Sequence, residues 1–86
     1  PDANQLLAKQ VVGLAGDQIS IKSHHIFINE QDYGLIKQIS NSGKELHPIS
    51  ANLIPEGFVF VHAPHADSFD SRYQEFGLIE IEQIRD

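Results

Sequence analysis

A mainly β domain is predicted by three features of the sequence. Eleven Ile, four Val, five Phe and two Tyr among 86 residues supply the β-branched and aromatic side chains that pack on a pleated surface. No window sustains an apolar i, i+3, i+4, i+7 stripe over three turns, so no amphipathic helix is expected. The apolar segments are short and separated by clusters of Gly, Pro, Asn, Asp and Ser, as strands joined by turns require.

Leu6 to Leu14 reads as the first strand, closed by Gly13-Leu14-Ala15-Gly16-Asp17, where two glycines offer positive φ and the Asp17 carboxylate can cap the turn. Ile19 and Ile21 alternate with Gln18, Ser20 and Lys22, the period of a strand with one wet face. Ser23-His24-His25 serves as a hairpin link to Ile26-Phe27-Ile28. Asn29 to Asp32 is the next turn, Tyr33 to Ile39 a further strand, and Asn41-Ser42-Gly43-Lys44 a polar break. His47 to Ser50 is expected to pair briefly, and Pro55-Glu56-Gly57 turns the chain into a strand from Phe58 to Ala63. Pro64 to Glu75 is polar and too rich in turn formers for a strand. Ile79, Ile81 and Ile84 form the last apolar set.

Length confines the chain to a single domain, residues 1–86, with a modest core. Without Cys there is neither a disulfide framework nor a thiolate metal site. Twelve acidic against six basic residues, a formal charge of −6, repel phosphate backbones and argue against a nucleic-acid partner. No apolar run approaches the ~20 residues that cross a bilayer, and no signal-peptide pattern is present. A chain that begins at Pro1 and contains no Met is read as a piece of something longer.

Three segments carry chemistry in an ordered arrangement. They are Leu7-Ala8-Lys9-Gln10-Val11-Val12-Gly13-Leu14-Ala15-Gly16-Asp17, then Ile54-Pro55-Glu56-Gly57 leading into Phe58-Val59-Phe60-Val61, then Asp67-Ser68-Phe69-Asp70-Ser71-Arg72-Tyr73. Together they resemble the bacterial type I signal peptidases, whose catalytic domain carries Lys-Arg-x-x-Gly-x-x-Gly-Asp, then Pro-x-Gly and a strand, then Ser-x-Asp-Ser-Arg. Gln10 replaces the usual Arg and Ala15 the usual Pro. His62-Ala63-Pro64-His65 stands where general signal peptidases have Gly-Asp-Asn, and Ser68-Phe69-Asp70-Ser71-Arg72-Tyr73 is nearer the conjugative-transfer, TraF-like branch. The resemblance implies a signal-peptidase or LexA-like fold of coiled antiparallel β-sheets, lacking its N-terminal part.

It also implies a serine endopeptidase with a Ser/Lys dyad, acting on exported precursors, signal peptides or pilin precursors, at the outer, periplasmic face of the cytoplasmic membrane. Lys9 falls on the general base. By residue type alone it is a solvated strand lysine; the motif is what singles it out. Burial disfavours a charged ammonium and can lower a lysine pKa by about 3–5 units, so such a base needs apolar neighbours. Leu6, Leu7, Val11 and Val12 flank it, with Phe58, Phe60 and Ile79 expected as a dry wall across the sheet. The nucleophile of the family sits in a Ser-Met-x-Pro segment upstream of the lysine, and none of Ser20, Ser23, Ser40, Ser42, Ser50, Ser68 or Ser71 lies in such a segment. The nucleophile, the oxyanion-hole donors beside it and the membrane anchor are therefore expected outside this chain, and the chain alone is expected to be inert.

Ser68 matches the family's second serine, whose hydroxyl orients the lysine amine. Asp70 and Arg72 match the acid and base that pair beside the active site and hold its loop. Gln5, Leu6, Leu7 and Ala8, the stretch before the lysine, match the edge on which an extended substrate strand pairs. Losing the nucleophile-bearing segment would expose that edge and favour self-association. His62-x-x-His65-x-Asp67 offers three metal-ligand types within six residues, but lacks a fourth ligand and is read as a polar loop; no metal or other cofactor is expected. A self-cleaving repressor of the LexA type shares the dyad but is not expected to carry the string from Ser68 to Tyr73. The other alternative is a catalytically dead relative kept as a binding or assembly module.

Overall fold

Two-residue turns build one half of the domain. In the computed structural model, which describes residues 9–65 and 67–84, three strands β1 (Gln10–Gly13), β2 (Ile19–Lys22) and β3 (His25–Ile28) are followed by β4 (Gln31–Leu35), β5 (Phe58–His62), β6 (Ile79–Glu80) and a single helical turn α1 (Ile81–Ile84). β2, β3 and β4 form an antiparallel meander, with Ile19 opposite Ile28 and Lys22 opposite His25. The β2–β3 turn is Ser23-His24 alone, at φ 51° and 65°, and the β3–β4 turn is Asn29-Glu30, at φ 49° and 73°. Two successive left-handed residues match the twist of the flanking strands, which is why His25 and Gln31 already belong to strands. Asn29 secures its turn: its Oδ1 accepts from the Gln18 amide at 2.8 Å and its Nδ2 donates to Asp17 at 2.9 Å. Asp17 in turn caps Leu14, whose N–H donates to Oδ2 at 2.8 Å. Those two bonds, the Leu14 amide first and Asn29 second, hold its carboxyl below the ordinary aspartate value.

β4 stops at Leu35 rather than running to Ile39. The carbonyls of Tyr33 and Leu35, on its outer edge, accept from His62 Nε2 at 2.8 Å and Arg72 Nη1 at 2.8 Å. Side chains from the other half of the domain thus occupy the acceptors that a further strand would use. Beyond Leu35 the Ile36 N–H still donates to the His24 carbonyl at 2.7 Å, and Ile39 forms an isolated bridge with Glu45.

In the second antiparallel sheet β5 lies between β1 and β6. Alternation sends Phe58 and Phe60 to one face, toward a core of Ile19, Ile26, Ile28, Ile36, Ile49, Ile54 and Tyr73 between the sheets. Val59 and Val61 take the opposite face and cluster with Ile79 and Phe76. The register of β1 shifts between Val11 and Gly13, a bulge that lets Val12 pack on the main core. Of the two glycines expected to supply positive φ, only Gly16 does, at 90°. Gly13 is needed for close approach: a Cβ there would lie 2.6 Å from Ile54 Cδ1 and 3.0 Å from Phe60 Cβ.

Segment 64–75 holds no strand among its described residues, as expected, yet supplies pairing partners. Its end pairs with the 47–50 stretch through a bridge between Pro48 and Tyr73, with the Ile49 N–H on the Arg72 carbonyl at 2.9 Å and the Gln74 N–H on the His47 carbonyl at 2.8 Å. The last apolar set divides: Ile79 is buried opposite Val59, whereas Ile81 is exposed on α1. Among the described residues no helix is long and apolar enough to cross a membrane.

Candidate active site

The segment from Asp67 to Tyr73 is shaped by a buried carboxylate. Asp70 Oδ1 accepts from the Arg72 backbone N–H at 3.1 Å and from Arg72 Nε at 2.8 Å, while Oδ2 accepts from Arg72 Nη2 at 2.8 Å and from the Ala63 N–H at 2.9 Å. Arg72 Nη2 also reaches the Ala63 carbonyl at 3.2 Å. Every oxygen lone pair that burial would penalise is thus used, which is what lets two charges remain inside. Between them, Ser71 takes the edge of β5 that β6 leaves free: its N–H donates to the Val61 carbonyl at 3.1 Å and its Oγ accepts from the Val61 N–H at 3.0 Å. Asp70, Ser71 and Arg72 therefore fasten the loop to the end of the central strand, and Arg72 continues to the edge of β4.

Lys9 immediately precedes β1 and is half-buried. Its Nζ lies 5.4 Å from the centre of the Phe76 ring, within cation–π range. Since Phe76 packs on Val59, Val61 and Ile79, the apolar surface beside Lys9 is that set. Ile79 belongs to it as expected, but Phe58 and Phe60 do not: one residue out of phase along β5, they point into the main core.

Ser68 is half-buried, and its backbone N–H donates to the His65 carbonyl at 3.0 Å. The next residue, Phe69, stacks on Tyr73 at 6.0 Å and meets Phe76 edge-on at 5.3 Å. One aromatic ring, Phe76, is thus shared by Lys9 and the loop that carries Ser68. Neither Phe69 nor Phe76 was singled out from the sequence. Their sequence signal is the i, i+4, i+7 spacing of Phe69, Tyr73 and Phe76, which runs out of the turn-rich stretch from Pro64 to Glu75. Gln5, Leu6, Leu7 and Ala8 lie outside the described residues.

The loop histidines serve other ends. His62 Nε2 donates to the Tyr33 carbonyl, and its ring meets that of Tyr33 edge-on at 5.2 Å. Asp67 accepts from Lys37 Nζ at 2.7 Å, and that bond, followed by one from Asn41, holds its carboxyl below the ordinary value. His24 sits in a left-handed turn position, and His25 faces the Asp32 carboxylate at 3.1 Å.

In this mainly β fold, Lys9 and Phe69 of the Ser68 loop both meet the Phe76 ring. The chain belongs to the signal peptidase family, peptidase S26, whose family model matches residues 1–85. It is 30% identical over 74 residues to the conjugal transfer protein TraF of Agrobacterium fabrum, covering 85% of this chain and 41% of that protein. It is also 30% identical over 74 residues to the probable conjugal transfer protein TraF of Sinorhizobium fredii, covering 85% and 38%. With the conjugal transfer protein TraF of Agrobacterium tumefaciens the figure is 34% over 68 residues, covering 78% and 39%. The chain spans about two fifths of the length of these curated relatives.

Proposed function

We propose that this chain is the base-bearing part of a Ser/Lys-dyad endopeptidase that matures exported precursors, with conjugative pilin precursors favoured by the conjugal-transfer names of its relatives. The observation that carries the reading is the placement of Lys9 on Phe76, the ring that also supports the Ser68 loop. In this scheme a serine from a Ser-Met-x-Pro segment N-terminal to Lys9 attacks the scissile carbonyl. Its proton passes to the Lys9 amine and on to the leaving amine, and water then hydrolyses the acyl-enzyme. Ser68 orients Lys9, and the Asp70–Arg72 pair anchors the C-terminal half of the loop that carries Ser68 to β5.

The substrate lies extended along Gln5 to Ala8, before β1, an edge strand of its sheet. Uncovered, that edge and the exposed Val11 and Leu14 beside it promote self-association. An anchor preceding the chain places the enzyme on the outer face of the cytoplasmic membrane. The test is cleavage of a purified precursor by the 86-residue chain, by a longer protein that includes the upstream serine, and by its Lys9→Ala variant. Only the longer protein with Lys9 intact is expected to turn over. Turnover by the 86-residue chain, or by the Lys9→Ala variant, defeats the dyad.

A further inference from the structure

Lys37 belongs to none of the motifs, and it lies two residues beyond β4, on the opposite half of the domain from Lys9. Yet it grips both ends of the Ser68 segment. Its Nζ donates to Asp67 Oδ1 at 2.7 Å and to Asn41 Oδ1 at 2.8 Å, while its backbone N–H donates to the hydroxyl of Tyr73 at 3.0 Å. Asp67 directly precedes Ser68, and Tyr73, buried in the main core, closes the motif. The ammonium is the more sheltered half of the pair, its side chain 24% exposed against 48% for Asp67. Lys37, Ser68 and Phe69 share the wall of a cleft of about 450 Å³.

The Asp70–Arg72 pair anchors the C-terminal half of the segment to β5, but no bond from that pair reaches residues 67 to 69. The N-terminal half has the Ser68 N–H bond to His65 and the Asp67 carboxylate on Lys37. The Lys37 ammonium is thus held between a carboxylate and an amide oxygen.

We propose that Lys37 is a positioning residue of this peptidase: through Asp67 it sets the direction from which the Ser68 hydroxyl meets Lys9. This rests on the roles given above to Ser68 and Lys9. A partly exposed ion pair adds little to stability, whereas a displacement of about 1 Å in a catalytic group can cost about 100-fold in rate. Loss of Lys37 should therefore appear in kcat far more than in melting.

The experiment uses the full-length peptidase and a precursor peptide, with kcat, KM and melting temperature measured for Lys37→Met, Lys37→Arg, Asp67→Asn, Ser68→Ala and the Lys37→Met/Ser68→Ala double variant. Lys37→Met and Asp67→Asn are expected to lower kcat about 10–100-fold at nearly constant KM and melting temperature. Lys37→Arg should restore most of the rate, and the double variant should be no slower than Ser68→Ala. Unchanged kcat in Lys37→Met and Asp67→Asn while Ser68→Ala is impaired overturns the positioning role alone, as do losses that simply add in the double variant. An unimpaired Ser68→Ala overturns the underlying role of Ser68, and this inference with it. If Lys37→Met fails to fold, Asp67→Asn carries the same comparison from the exposed side of the pair.

Discussion

Asp70 and Arg72, two residues apart, close on each other through two parallel 2.8 Å bonds, Nε to Oδ1 and Nη2 to Oδ2, with neither side chain more than 2% exposed. Bidentate geometry with full satisfaction of the carboxylate makes the pair an organiser of its loop, because each partner also bonds backbone groups elsewhere.

Removing one partner should therefore be far worse than removing both. Asp70→Ala is expected to lose about 3–5 kcal/mol, through the uncompensated guanidinium and the orphaned Ala63 N–H. Denaturant unfolding of Asp70→Ala, Arg72→Met and the double variant gives the coupling energy. A coupling near zero would sink the organising role, and an Asp70→Ala protein that stays fully stable yet inactive would move Asp70 into the chemistry.

Ser68 should behave in the opposite way. It is half-buried with only its backbone N–H in a described bond, so Ser68→Ala is expected to leave the melting temperature within about 2 °C, as a substitution outside the core does. If Ser68 has the orienting role proposed above, turnover of the full-length protein should fall by a factor on the order of 100. Loss of stability without loss of turnover would contradict its assignment.

The contact between the 47–50 stretch and the end of the loop should depend on pH. The Glu75 carboxylate accepts from His47 Nδ1 at 2.6 Å and from the His47 N–H at 3.1 Å. Glu75 raises the His47 pKa above 6.5, chiefly by this side-chain bond, and His47 lowers that of Glu75 below 4.5. A raised histidine contributes stability fully below 6.5 and loses it as pH rises through its folded value. A lowered carboxylate contributes above 4.5 and loses it as pH falls through its folded value. The tether should thus be strongest between the two. Proton NMR titration should place His47 above 6.5 and return it toward that value in Glu75→Gln; equal midpoints in both proteins would refute the pairing.

Gly13 tests close packing. A Cβ 2.6 Å from Ile54 Cδ1 must displace a side chain inside the main core, so Gly13→Ala is expected to cost about 1–3 kcal/mol. Ile54→Val removes the clashing methyl, and the same substitution in that background should cost clearly less. Equal losses in the two backgrounds would place the strain elsewhere.

Composition and motif spacing were enough for much of this. Ile, Val, Phe and Tyr usage with short apolar runs indicated a mainly β domain, since β-branched and aromatic side chains suit a pleated surface whatever their partners. The alternation of Ile19 and Ile21 marked β2, and the motif order from Lys9 through Gly16-Asp17 to Asp70-Ser71-Arg72 identified the family. Turn boundaries were less legible, because Ser23-His24 and Asn29-Glu30 adopt left-handed pairs without the Gly that usually signals them. What only the tertiary structure decided is which faces meet. The wall beside Lys9 is Val59, Val61, Ile79 and Phe76 rather than Phe58 and Phe60, because a one-residue phase on β5 exchanges the two sides of a sheet. Arg72 caps the edge of β4, Phe76 joins Lys9 to the Ser68 loop, and Lys37 reaches Asp67 and Tyr73 from the segment after β4. Apart from Phe69 and Phe76, seven residues apart, these contacts join residues distant in the chain, and local propensity carries no record of a partner that only tertiary packing brings within reach.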